Sequence, residues 1–349
     1  MALLTTTIGA YPKPDYVPEI SGGQSRGLTR AEPTKAYDVF LSASPADAEE
    51  RFTRATREAV RDQVGAGIDV PTDGEIRREH YVFYHCRHLR GIDFGRLARK
   101  SMRNDSWQAE VPTVCGPISA GPPFLPDDWR CARAASDRPI KITVPGPMTI
   151  TDTTADAHYG DERALGAALA DALNVEIRAL ADAGCAWIQV DEPVMARYPD
   201  KAVDFGIDNL SRCFHGVPEA VTRCVHVCCG YPAVLDEEDY PKADREAYFA
   251  IADGLEAALV DVISIEDAHR HNDFGLLERF ATSRVALGVI GIARTRIEPV
   301  DEIVARLEEA LEHIDRNRLI AAPDCGLIML DRATARAKLA NLVLAARAL

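Results

Sequence analysis

Eight short apolar runs alternate with longer amphipathic stretches along this chain, and that alternation constrains the fold more than any other feature. The runs cover residues 5–11, 68–72, 140–144, 186–190, 221–228, 262–265, 285–290 and 319–322. They are rich in Val, Ile and Thr and mostly continuous, the pattern of strands buried on both faces. Between them, 45–66, 161–183, 243–259, 300–314 and 332–348 carry helical periodicity. Ser44-Pro45, Asp161-Glu162 and Asp331 are helix-start signals. Gly67 and Gly184 suit the left-handed position just past a helix. Eight strands alternating with helices in 349 residues predict an α/β fold, a (β/α)₈ barrel spanning residues 1–349 as a single domain. A doubly wound sheet is the alternative.

The rhythm breaks around residues 96–139, where Gly116-Pro117, Gly121-Pro122-Pro123 and Leu125-Pro126 occur with little helical pattern. This stretch is expected to be an inserted excursion, a lid or hairpin, after the second βα unit. An acidic insertion at 232–243 follows the fifth strand. With 40 basic against 54 acidic residues the formal charge is −14, which argues against a nucleic-acid partner. No run of about 18 apolar residues appears, so no membrane span is expected. The N-terminal stretch lacks the pattern of a signal peptide. Nine cysteines in such a chain fit reduced thiols in the cytoplasm, some of them metal ligands, better than a disulfide framework.

Catalytic groups of a barrel gather at the C-terminal ends of its strands. Here the second strand runs into Asp73-Gly74-Glu75 and the fourth into Asp191-Glu192. The fifth ends in His226, Cys228 and Cys229, the sixth in Glu266-Asp267, and the eighth in Asp324-Cys325. The i, i+2 spacing of His226 and Cys228 puts both side chains on one face of a strand. With Cys325 from another strand and Glu266 as an oxygen ligand, they compose a mixed N/S/O set suited to zinc. The bland alternative makes Cys228 a small buried hydrophobe and His226 a satisfied core histidine. Cys229 is expected to point away into barrel packing. Glu75 and Asp191 suit a substrate ammonium. With Asp73 and Glu192 they equally suit acid–base work, or ion pairs with Arg77, Arg78, Arg87 or Arg90. Asp324 is expected to support the metal ligands from behind. His80, His85 and His88 read as a helix stripe with capping or surface roles. No phosphate-binding glycine loop is present.

Together these motifs resemble the catalytic barrel of cobalamin-independent methionine synthase. The likeness runs from Ile8-Gly9 through Asp73-Gly74-Glu75, Gly146-Pro147-Met148-Thr149-Ile150, Gln189-Val190-Asp191-Glu192-Pro193, His226-Val227-Cys228 and Ile265-Glu266 to Pro323-Asp324-Cys325-Gly326-Leu327. The resemblance implies Zn²⁺ on His226, Cys228, Glu266 and Cys325. It also implies that Glu75 and Asp191 hold the amino group of homocysteine, and that the backbone of Ile8, Gly9 and Ala10 holds its carboxylate.

The departures lie on the donor side. Thr153 stands where the family packs a tryptophan on the pterin, Arg197 where it has a pterin-binding glutamate, and Ala293 where it has a proton-donating histidine. These losses point to a non-folate methyl donor, such as methylcobalamin or a corrinoid protein partner. Arg294, like Arg197, is a donor-side candidate. The expectation is zinc-dependent S-methylation of homocysteine in the cytoplasm. The alternative is a zinc alkyltransferase or lyase that joins a coenzyme M-like thiol to an epoxide. A non-catalytic, zinc-stabilised barrel that binds a partner protein is a third reading.

Overall fold

The structure, a computed structural model, describes residues 2–17, 32–102, 107–232, 234–237 and 240–349. Seven strands form one parallel sheet in the order β1 (Leu4–Thr5), β10 (Leu319–Pro323), β9 (Arg284–Ile290), β8 (Val262–Ile265), β7 (Thr222–Val227), β6 (Trp187–Asp191) and β4 (Lys141–Pro145). The segment 68–72 fills the eighth place. It touches the first strand through a parallel bridge between Thr6 and Val70, and β4 through one between Thr72 and Lys141. The sheet thus curls into the expected barrel. Trp187, Cys224, Val262, Ala286, Ile320 and Ala322 share one interior cluster with Ile8 and Val70.

The first two strands are more broken than their apolar runs predict, for a chemical reason. Pro71 has no N–H to give a ladder. The Asp69 carboxylate, rather than a carbonyl, accepts from Thr5 N at 2.9 Å and Thr5 Oγ1 at 2.8 Å. Beyond Thr6, side chains take the carbonyls of Ile8 and Gly9. Gln189 Nε2 donates to Ile8 O at 2.9 Å and Thr72 Oγ1 to Gly9 O at 2.7 Å. Residues 8–10 therefore leave the sheet just where they reach the rim.

The helices Pro45–Ala66 and Glu162–Ala183 end at Gly67 and Gly184, with φ of 103° and 105°. Asp161 and Asp331 cap their helices through Arg163 N and Thr334 N. Ser44 makes no side-chain cap, and Pro45 alone opens its helix.

The excursion begins earlier than expected and contains a helix. β2 (Leu89–Met102) and β3 (Trp107–Ala120) form an antiparallel hairpin, extended by β5 (Ala155–Asp156). Leu125–Arg133 is helical. Its first N–H groups are satisfied from a distance: Phe124 N and Leu125 N donate to Glu176 Oε1 at 3.0 and 2.7 Å. A cap borrowed from 51 residues away leaves no local signature. Lys100 ties the hairpin down by donating to Thr151 O and Thr154 O, both at 2.8 Å.

Asp128 of the short helix is buried and accepts from Tyr84 Oη at 2.8 Å. Burial pushes its carboxyl up to about 7, against the pull of Arg77. A carboxyl raised in the fold binds its proton more tightly there than in the unfolded chain. Its contribution is present below the ordinary value near 3.8 and is lost as pH rises through about 7. Asp128→Asn is therefore expected to flatten the fall in stability between about pH 4 and 7, read from urea midpoints across that range. An unchanged slope would show that Asp128 is not a source of it. Among the described residues, no helix is long and apolar enough to cross a membrane.

Candidate metal and thiol site

Register places the site. Asp191, the last residue of β6, lies opposite His226 of β7, which lies opposite Ser264 of β8, so three inward positions sit side by side. His226 Nδ1 is 2.9 Å from Ser264 Oγ. That contact orients the ring and leaves Nε2 buried with no hydrogen-bond partner. A buried ring nitrogen without a partner is costly unless something fills the place. The ligand atoms of His226, Cys228 and Cys325 all lie within 4.8 Å of one another. The Cys325 thiol donates toward the Cys228 sulfur, which holds the Cys228 thiol well below its ordinary value and Cys325 above. One imidazole nitrogen and two sulfurs, one of them inclined to ionise, are a donor set that fits Zn²⁺.

Glu266 stands just outside this group. It is buried, its Oε2 accepts from Cys229 N at 2.8 Å, and burial beside Cys228 raises its carboxyl well above the usual range. Cys229 joins the core as expected. Asp324 is fully buried and accepts from Asp267 N, Ala268 N and His269 N at 2.7–2.8 Å. It thereby clamps the turn after Glu266 to the residue before Cys325.

The three metal-set residues open onto a cavity of about 480 Å³. Ile8, Gly9, Ala10, Glu75, Asp191, Thr153 and Arg197 all line it. Among the described residues, the N–H groups of Ile8, Gly9 and Ala10 make no hydrogen bond. Glu75 has a left-handed backbone, φ 54°, and its Oε1 accepts from Thr143 Oγ1 at 2.7 Å with Arg78 Nη1 3.4 Å away. Gly9 has no room for a side chain, since a Cβ there would meet Glu75 Oε1 at 2.5 Å. Gln189 Nε2 holds Asp191 Oδ1 at 2.7 Å. Burial pushes the Asp191 carboxyl up to about 7, with His226 opposing and Glu75 reinforcing the shift.

Several expectations need correction. Glu192 is not part of the carboxylate cluster: it caps the helix Pro147–Thr153, accepting from Met148 N, Thr149 N and Thr149 Oγ1 at 2.7–3.0 Å. Arg294 is not among the residues lining the cavity, and its nearest acceptor is Ala268 O at 3.4 Å. None of the three stripe histidines is exposed. His80 Nδ1 accepts from Val82 N and Phe83 N at 3.2 and 3.3 Å, a capping role, and His80 also lines the cavity beside Tyr81 and Phe83. His85 is buried against Tyr81 O, and His88 stacks on Phe124 at 3.7 Å. Sequence reasoning passed over Asp152, Tyr231 and Tyr240, which line the cavity too. The only sign of Asp152 was its place beside Thr153.

The family described as "Cobalamin-independent synthase, Catalytic domain" matches residues 3–204 and 245–348. A methionine synthase of Sulfolobus acidocaldarius is 31% identical over 98% of this chain and 90% of its own. One from Thermococcus kodakarensis is 28% identical, with 98% and 91% covered. A B12-independent methionine synthase from Shewanella sp. W3-18-1, solved in complex with selenomethionine, superposes with a TM-score of 0.85 at 30% identity, covering 99% and 97% of the two chains. These likenesses overturn the expected methylcobalamin donor and corrinoid partner, because the family and the Shewanella enzyme are independent of cobalamin. The changed side chains on the folate side do not close the pocket, since Thr153 and Arg197 border an open cavity. The sulfur-rich rim, the barrel and the length of the match agree: the chain belongs to the cobalamin-independent methionine synthase family.

Proposed function

We propose that this protein methylates the sulfur of homocysteine to give methionine, using Zn²⁺ held by His226, Cys228 and Cys325 with Glu266 as the oxygen donor. The whole chain acts as one catalytic barrel in this reading. The observation that carries it is the buried, unpartnered Nε2 of His226, grouped with two thiols at the floor of the cavity. When bound there, zinc supplies Lewis acidity that keeps a coordinated thiol in its nucleophilic, ionised form at neutral pH.

The chain's own residues position the amino acid. Arg78 stands 3.4 Å from Glu75, whereas Asp191 makes no ion pair among the described residues. The raised Asp191 carboxyl records the cost of its burial, and an incoming ammonium offsets it. The free N–H groups of Ile8, Gly9 and Ala10 suit a carboxylate. A thiol with no ammonium, such as a coenzyme M-like one, would leave the buried Asp191 without a cation against it, which favours homocysteine over that alternative. The selenomethionine in the Shewanella relative is a product-like amino acid. The donor assigned to the family is a folate polyglutamate, and we take a methylated reduced folate as the donor here.

The test is methionine formation from homocysteine and 5-methyltetrahydrofolate by the zinc-loaded protein. No product, with selenomethionine also unbound in titration calorimetry, would overturn the reading. Glu75→Gln is expected to weaken selenomethionine binding by about 10- to 100-fold, since one charge-assisted contact to the ammonium is lost. Unaltered affinity would remove Glu75 from the amino-group site.

A further inference from the structure

The acidic insertion after β7 walls part of the cavity, through Tyr231, Pro232, Glu237, Tyr240 and Pro241. It lies outside the two stretches that the family matches, which stop at residue 204 and resume at 245. Both of its ends are fastened to the metal rim. Tyr231 Oη donates to Gly326 O at 2.9 Å, next to Cys325, and Ala243 N donates to Cys229 O at 2.7 Å, next to Cys228. Gly230 lets the two ends meet: its φ is 154°, and a Cβ there would stand 2.7 Å from Pro241 O. Asp236 ties the insertion to the loop after β9, with Asp236 N donating to Ala293 O at 2.7 Å and Thr295 N to Asp236 Oδ1 at 2.8 Å.

So anchored, the insertion brings Tyr240 to the cavity. The ring is buried, edge-on to His269 with centroids 6.0 Å apart, and Lys242 Nζ lies 4.4 Å from its centre. Among the described residues lining the cavity, Tyr240 has the one buried hydroxyl left without a hydrogen-bond partner. The hydroxyls of Tyr231 and Thr149, which line it too, are engaged by Gly326 O and Glu192 Oε2. Burial, reinforced by Glu266, Asp324 and Cys228, pushes the Tyr240 phenol far above its ordinary value. The neighbours that it feels are therefore those of the metal set. A buried O–H with nothing to accept from it is expensive to keep, unless a ligand completes it.

On the thiol reading above, we propose that Tyr240 is a further substrate-contacting residue, whose O–H donates to the reacting sulfur of homocysteine while that sulfur is a thiolate. Glu75, Asp191 and residues 8–10 provide for the amino and carboxylate ends, which leaves the sulfur as the atom without a hydrogen bond from the protein. An ionised sulfur beside Cys228 is the acceptor that this hydroxyl lacks. The methylated sulfur of the product is only a weak acceptor. The contact thus holds the nucleophile by one lone pair, leaves another for the methyl carbon, and weakens once the methyl group has moved.

The experiment is calorimetric binding of homocysteine and of selenomethionine to the zinc-loaded protein, unaltered and with Tyr240→Phe. Homocysteine is expected to bind about 10- to 100-fold more weakly to the variant, the loss of one hydrogen bond to a charged group, with selenomethionine affinity retained. Unchanged homocysteine affinity would overturn the assignment. Equal weakening of both ligands would overturn it too, because Tyr240 would then pack against the part that they share. Tyr240→Met, equally without an O–H, serves if Tyr240→Phe does not fold, with the same split expected. Failure of the unaltered protein to bind either amino acid would instead remove the proposed function, and this assignment with it.

Discussion

Cys325→Ala protein is expected to lose zinc affinity by more than about 100-fold and methyl transfer by on the order of 1,000-fold. Loss of a group that merely supports a ligand costs 10- to 100-fold in metal affinity, so loss of one of three grouped donors should exceed that. The Lewis acidity lost with the ion corresponds to several kcal/mol of barrier, and each 1.4 kcal/mol is tenfold in rate. The geometry makes Cys325 a sharp choice. It shares the 4.8 Å group with His226 and Cys228, yet follows β10 rather than β7, so His226 and Cys228 stay intact in the variant. Cys325 is also only partly buried, which keeps the folding penalty of truncation small. Metal content by elemental analysis after dialysis is the direct measurement. Zinc retained at one equivalent by Cys325→Ala would end the ligand assignment, whatever the activity did. Glu266→Gln addresses the oxygen donor separately. A fall in zinc affinity with an unchanged unfolding midpoint would support ligation over its contact with Cys229 N.

The second large effect concerns stability. Lys338, on the helix Arg332–Ala348, is fully buried. Its ammonium donates to Glu298 Oε1 and Oε2 at 2.9 and 2.8 Å, to Gly291 O at 3.0 Å and to Arg296 O. Glu298 in turn accepts from Gly291 N at 3.0 Å. The pair pins the loop that follows β9, whose Ile292 and Ala293 N–H groups donate to His269. Lys338→Met keeps the bulk but leaves Glu298 buried without its cation, a change that costs roughly 3–5 kcal/mol. A fall in Tm of about 4–7 °C is expected by calorimetry. Adding Glu298→Leu to Lys338→Met should recover part of the loss, because the uncompensated charge is then gone. A midpoint within a degree of the unaltered protein would show that the pair contributes little beyond packing.

The grouping of His226, Cys228 and Cys325 was legible before the structure because strand geometry makes it so. An i, i+2 pair at the end of a buried strand must share a face, and parallel strands in one barrel must end at one rim. The same logic delivered Glu75, Asp191 and Cys325 to the cavity. It failed for Glu192, which follows Asp191 and so turns to the other face, where helix N–H groups needed an acceptor. It failed for the short helix at Leu125–Arg133, whose capping carboxylate belongs to Glu176. It failed for the donor, because side-chain identity at three positions says nothing of what their neighbours supply.

What the sequence alone determined is the barrel, its rim and the chemical type of each rim group, since period, strand count and parallel order follow from local pattern. What only the tertiary structure decided is which polar groups are left unsatisfied. His226 Nε2 and the backbone N–H groups of Ile8–Ala10 lack partners and also border one cavity, and neither fact is written in local pattern. Satisfaction of a hydrogen bond depends on atoms far apart in the chain, and these came together only when the barrel closed.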